Sequence, residues 1–309
     1  MWFISKPIFN VKEYFNKIDH LLKSQKYFMA DRFIEEINYN IKTIEKFLDY
    51  ELSNEVIPRE VKKEIKQILP YFNIFKKNLK KRNKDLIIQN FDNLIKNYSS
   101  IFKINLAYLL RHPEPDESSY TDNPLRHLSK KGVRQAKEFS EKLSELILLS
   151  PEPVDLFIYT SKNKRAHLFA DIIIRRMKKN RININKEINL NLAEEDVLTN
   201  TFVVHSLKEY IENKYGYYDK CKVIENFKDY LLDWMKNSKE KAFLCSKITN
   251  FINTMVRRKH KDRLCITLMF THLPNIVCYF DRMGFGIEKA LSFGPADYII
   301  YLNNNLVKI

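Results

Sequence analysis

Twice between Leu106 and Met177 a short apolar run breaks into a polar turn and then into an amphipathic helical pattern. The first run, Leu106-Ala107-Tyr108-Leu109-Leu110, stops on Arg111, His112 and Pro113. The second, Val154-Asp155-Leu156-Phe157-Ile158-Tyr159, is rich in β-branched and aromatic side chains and gives way to Thr160-Ser161-Lys162-Asn163. Short apolar runs bounded by polar residues and proline read as buried strands. Strands that alternate with helices call for a parallel sheet covered on both faces. The expected fold is therefore α/β, three layers built on a mostly parallel sheet with helices on both faces. Ligands of such sheets lie beyond the carboxyl ends of the strands, which is where Arg111 and His112 fall.

The helical patterns are legible too. Ser129 is placed to cap a helix that carries Ala136, Phe139, Leu143 and Leu146 on one face and ends before Pro151. Upstream, Ile34, Ile37, Ile41, Ile44 and Leu48 recur at steps of three and four, a helix over Asp31 to Leu52. A second helix is expected from Pro58 to Leu69, stopped by Pro70, with one or two more between Tyr71 and Tyr98. All five glycines lie at or beyond Gly132, so the first third lacks the residue that tight turns need. The expected division is an all-α N-terminal helical domain over 1–104 and an α/β domain over 105–309, with a mostly helical insertion at about 196–262. Lys76, Lys77, Lys80, Lys81, Arg82 and Lys84 read as a solvated helix face, with an anionic docking surface as the sharper alternative. The helical third could contact a protein partner, pair with itself or cover the rest of the chain.

A formal net charge of +15 draws anionic substrates or partners. Lysine is spread along helical patterns among Asn and Ile, however, and no nucleic-acid recognition motif is visible, so nucleic acid is not the expected partner. Cys221, Cys245, Cys265 and Cys278 are widely separated and form neither a zinc nor a redox motif, which suits reduced thiols in the cytosol. The first apolar run is too short for a signal peptide, and no run of about 18 apolar residues could span a bilayer. A soluble, cytoplasmic protein is expected.

Four landmarks occur in order: Arg111-His112 at a strand end; Leu128-Ser129, Gly132 and Gln135-Ala136 at a helix start; Thr160-Ser161 with Arg165-Ala166 after a second strand; and a late apolar run, Leu264 to Thr271, ending in His272. In this the chain, over about Leu106 to Tyr301, resembles the histidine phosphatase superfamily, the phosphoglycerate mutase-like proteins. The resemblance implies a phosphohistidine formed on His112, with Arg111, Arg165 and His272 binding the phosphoryl oxygens. It also implies an acidic proton donor, for which Glu194 is the match because it follows Leu192-Ala193, with Glu195 as the alternative.

The chemistry is sound on its own terms. Neutral imidazole is a competent nucleophile, and its ordinary pKa near 6.5 keeps much of it neutral in the cytosol. Guanidinium forks hold phosphoryl oxygens by charge-assisted bonds, and a second imidazole adds a donor where charge develops. Four such donors need neither metal nor cofactor, and metal-ligand spacing is absent from the sequence. Adjacent carboxylates at Glu194, Glu195 and Asp196 would help one of them to stay protonated as a general acid.

The departures are informative. Pro113 stands where the family has glycine, which removes an amide donor. Ser118 stands where mutase-type members have asparagine, and the glycine-rich pattern after the acid is missing. Both of the latter favour phosphomonoester or phosphoprotein hydrolysis over a mutase. A catalytically weak phospholigand-binding protein and a phosphomutase are the alternatives. His127, His167, His205 and His260 match no landmark and read as structural, while Tyr210, Tyr215, Tyr217, Tyr218 and Trp234 could form an aromatic lid or pack within the core.

Overall fold

The computed structural model describes residues 10–23, 31–116, 127–180, 182–184, 188–199, 201–216, 219–257 and 262–308. The readings placed on Met1 to Pro7, Ser118, Pro124, Tyr217, Tyr218 and His260, and on the side chain of Cys221, lie outside them.

Four helices come first, α1 (Val11–Lys23), α2 (Asp31–Glu51), α3 (Arg59–Leu79) and α4 (Lys84–Ile101). Helix α3 corrects the sequence reading, because it runs through Pro70 instead of stopping there. Proline removes one intrahelical bond. The buried stripe of Val61, Ile65 and Ile68 nevertheless continues through Phe72, Phe75 and Leu79, and that packing outweighs the lost bond.

The remainder alternates as expected: β1 (Asn105–Arg111), α5 (Lys130–Leu149), β2 (Val154–Thr160), α6 (Lys164–Lys179) and β3 (Ile188–Glu194). A single 3-10 turn, Asp196–Leu198, leads into α7 (Thr201–Tyr215), α8 (Lys220–Glu225), α9 (Phe227–Asn237) and α10 (Lys241–Val256). Then follow β4 (Cys265–Thr271), α11 (Leu273–Met283), α12 (Ile287–Leu291), β5 (Tyr298–Leu302) and β6 (Asn305–Lys308). The sheet order is β3-β2-β4-β1-β5-β6. Its first four strands are parallel, and β5 and β6 add antiparallel.

Alternation along the strands divides the core in two. Leu106, Tyr108 and Leu110 of β1 face one way, with Leu156, Ile158, Ile266, Leu268 and Phe270, against α5, α6 and the four N-terminal helices. Ala107, Leu109, Tyr159, Met269 and Ile299 face the other way, against α7 to α11. The N-terminal helices share one continuous apolar cluster with the sheet. Buried hydrogen bonds fasten them there, from Tyr108 to the Val56 carbonyl (2.8 Å), Tyr98 to the Leu149 carbonyl (2.9 Å) and Asn54 to the Lys142 carbonyl (3.1 Å). Among the described residues no helix is long and apolar enough to cross a membrane.

Candidate active site

Parallel β1, β2, β3 and β4 all end at one edge of the sheet, so residues far apart in sequence meet there. His112 follows β1 and is 6% exposed; its amide donates to Thr271 at the end of β4 (3.1 Å). Its ring places Nδ1 2.7 Å from the Pro113 carbonyl oxygen. A carbonyl only accepts, so Nδ1 carries the proton and the neutral ring keeps its lone pair on Nε2. The sequence reading counted Pro113 as a lost amide donor, but the group used here is the carbonyl, which proline retains.

His272 opens α11 and is 1% exposed, its ring centroid 4.8 Å from that of His112. Both of its ring nitrogens are engaged. Arg165 donates to Nδ1 (3.1 Å), while Ser161 Oγ (2.8 Å) and the Asn163 amide (3.0 Å) meet Nε2. A guanidinium can only donate, so neutral His272 accepts at Nδ1 and carries its proton on Nε2 toward Ser161; the Asn163 atom at Nε2 is the donor Nδ2, and in this tautomer the side-chain amide must turn its oxygen there to be paired. Burial, then the charges of His112, Arg165 and Arg111, hold the His272 pKa well below the ordinary imidazole value. For His272 to donate to an anion from Nδ1, Arg165 must leave that nitrogen. The Ser161 hydroxyl, which both donates and accepts, can serve either tautomer.

Arg111 closes β1, opposite Thr271 of β4. Its amide donates to the Asp297 carbonyl (3.0 Å) and its side chain to the Phe293 carbonyl, while its buried Nε has no hydrogen-bond partner among the described residues. Burial lowers its pKa, an effect Asp297 opposes. One arm of the fork expected to hold phosphate thus braces the loop before β5.

The remaining landmarks build the loop after His112. Ser129 caps α5 on the Gly132 amide (2.9 Å), and a Cβ on Gly132 would stand 2.1 Å from the Glu114 carbonyl oxygen, so only glycine fits. Gln135 accepts from the Glu114 amide (3.0 Å) and donates to the Pro295 carbonyl (3.3 Å), tying the loop after β1 to the one before β5. Ala296, at φ 67°, turns its amide toward the His112 carbonyl (3.4 Å).

The acidic stretch sits differently. Glu194 closes β3 opposite Thr160, is half exposed, and places Oε1 3.1 Å from Nε2 of His167 on α6. The Glu195 amide donates to the Thr160 carbonyl (2.8 Å), and Asp196 pairs with Lys162 (2.8 Å). The turn that follows is clasped from below. Asn275 donates to the Val197 and Leu198 carbonyls (3.1 and 3.0 Å), Thr271 donates to Leu198 (3.0 Å), and Thr199 Oγ1 accepts from the Lys162 amide (2.9 Å). His112, His272, Arg165 and Arg111 therefore share one edge, while Glu194 faces α6.

Sequence reasoning missed Ser161 and Asn163 as partners of His272, and His167 as the partner of Glu194. Of the aromatic residues suggested as a lid, the three that are described bind the insertion to itself. Trp234 is fully buried and donates to Ser206 (3.2 Å), and Tyr210 and Tyr215 both donate to Asp233 (3.1 and 3.0 Å).

No family model matches the chain, and no curated protein matches it. Solved structures do. Phosphoglycerate mutase from Bacillus anthracis str. Sterne matches at 14% identity and TM-score 0.43, over 67% of this chain and 92% of that one. A mycobacterial glucosyl-3-phosphoglycerate phosphatase matches at 14% identity and TM-score 0.37, over 63% and 88%.

Proposed function

We propose that the chain is a member of the histidine phosphatase superfamily and hydrolyses a phosphomonoester, or a phosphoprotein, through a phosphohistidine on His112, without a metal. The observation that carries this reading is the contact between His112 Nδ1 and the Pro113 carbonyl, 2.7 Å, which leaves Nε2 with the lone pair on a ring lying 4.8 Å from His272. Nε2 attacks phosphorus, the ester oxygen leaves with a proton from Glu194 or Glu195, and water then releases the phosphate. Arg111, Arg165 and His272 stabilise the charge on the non-bridging oxygens.

Acid-labile, base-stable phosphate trapped on the protein during turnover supports the proposal. His112→Ala is expected to abolish both trapping and hydrolysis, and chelation of divalent metals to leave them unchanged; hydrolysis that persists in the variant would refute the assignment. A second reading, a phospholigand-binding protein with weak turnover, is favoured by one contact, the pairing of Glu194 with His167. Tight binding of phosphoesters with no trapped intermediate would select it. Transfer to a second hydroxyl in place of water would mark a phosphomutase.

A further inference from the structure

Two matching polar stripes line one groove on the N-terminal helices. Glu35, Asn38, Tyr39 and Lys42 of α2, with Asn73, Lys76 and Lys77 of α3 and Lys80 at its C-cap, line one open groove of about 590 Å³. Each set follows the i, i+3, i+4, i+7 spacing of a single helix face. Lys76 is neutralised by Glu45, 2.8 Å away. Among the described residues Lys42, Lys77 and Lys80 have no ion pair, and Glu35 is the one carboxylate in the lining. Every other lining side chain can donate a hydrogen bond, and no strictly apolar one takes part.

We propose that this groove binds a compact, soluble ligand carrying two or more phosphate groups, at a site separate from the sheet edge. Three unneutralised ammonium groups along one groove match a dense cluster of anionic oxygens, and lysine binds phosphate as a point charge. The stripes span eight residues each, seven steps or about 10 Å at 1.5 Å per residue, which suits a small molecule better than a polymer. A nucleic acid would seek more stacking surface than Tyr39 alone provides, and an acidic protein segment would seek apolar anchors.

The test uses the full chain and tripolyphosphate as the probe, at physiological salt. Amide hydrogen exchange is expected to slow over 35–42 and 73–80, and calorimetry to report a saturable site there. Lys42→Glu/Lys77→Glu/Lys80→Glu should weaken that site by about tenfold or more. The charge-matched control Lys63→Glu/Lys66→Glu/Lys236→Glu should leave it within about twofold, because screening limits distant charges. Should the reversal variant fold poorly, Lys42→Gln/Lys77→Gln repeats the test with a smaller charge change. No protection in these segments, equal loss in the control, or stronger protection by a single-stranded RNA or a Glu-rich peptide would each overturn the proposal.

Discussion

The buried hydroxyl of Ser161 lies 2.8 Å from Nε2 of His272, a residue 111 positions further along the chain. Ser161 begins the turn after β2, and His272 begins the helix after β4, the neighbour of β2 in the sheet. The contact fixes the ring of the second histidine beside the first. Ser161→Ala removes a hydrogen bond that water cannot replace in a closed site, so unfolding free energy should fall by about 1 kcal/mol. Phosphate affinity and turnover should fall by about tenfold, which corresponds to ~1.4 kcal/mol. Ser161→Thr keeps the hydroxyl and should recover most of both. The check is denaturation and steady-state kinetics together with ¹⁵N shifts of His272, which report the tautomer and would not move if the serine were merely filling space.

Acid should weaken the fold through the same histidine. The folded-state pKa of His272 lies well below the ordinary value of 6.5, with burial as the main cause and the charges of His112, Arg165 and Arg111 adding to it. Above pH 6.5 both folded and unfolded forms are neutral at this site and its stabilising contribution is complete. Below it the unfolded chain binds a proton that the folded protein refuses, so stability is lost as pH falls from 6.5 toward the folded pKa. The limiting slope is about 1.4 kcal/mol per pH unit. Urea denaturation of wild type and His272→Gln over this range should show the difference between them shrinking toward acid pH; a constant difference would remove His272 from the linkage.

The strands and the edge they share were legible because β1, β2 and β4 announce themselves as apolar runs that stop on polar residues. Arg111 and His112 could be placed for the same reason, whereas Arg165, in the first turn of α6, and His272 were placed only through the resemblance to a known family. Helix α3 was cut short at Pro70 because a local rule spoke first and the tertiary packing of Phe72 and Phe75 overrode it. Ser161 and Asn163 were visible in the turn, but their bonds to His272 cross from one strand to another, a relation that no local pattern encodes. Glu194 was read from a family motif, yet its partner His167 sits one turn into α6, and the pairing depends on strand parity as much as on sequence.

Pro113 offers a direct test of which backbone group serves His112. Its carbonyl receives Nδ1 at 2.7 Å, so Pro113→Gly preserves the contact and restores an amide. Activity should stay within about threefold of wild type, under 1 kcal/mol in barrier. Stability should fall by about 1 to 2 kcal/mol, from the added freedom of the unfolded chain and the loss of a buried ring. A large rise in activity would instead show that the missing amide limits phosphate binding.

The proton donor can be resolved by varying the leaving group. An aryl phosphate expels a stable phenolate and needs little protonation, whereas an alkyl phosphate needs a full proton in the transition state. If Glu194 supplies it, Glu194→Gln should slow alkyl esters by about 100-fold or more while aryl esters change little. The carboxylate must first leave His167, which lies 3.1 Å away. His167→Gln should then maintain or raise alkyl ester turnover, because it frees the acid without touching the phosphate cage. If Glu195→Gln produces the selective loss and Glu194→Gln does not, the donor is Glu195, and the Glu194–His167 pair serves to hold the end of β3 against α6. Kinetics with both ester classes on all three variants separates these outcomes, since a general loss of folding would slow aryl and alkyl esters alike.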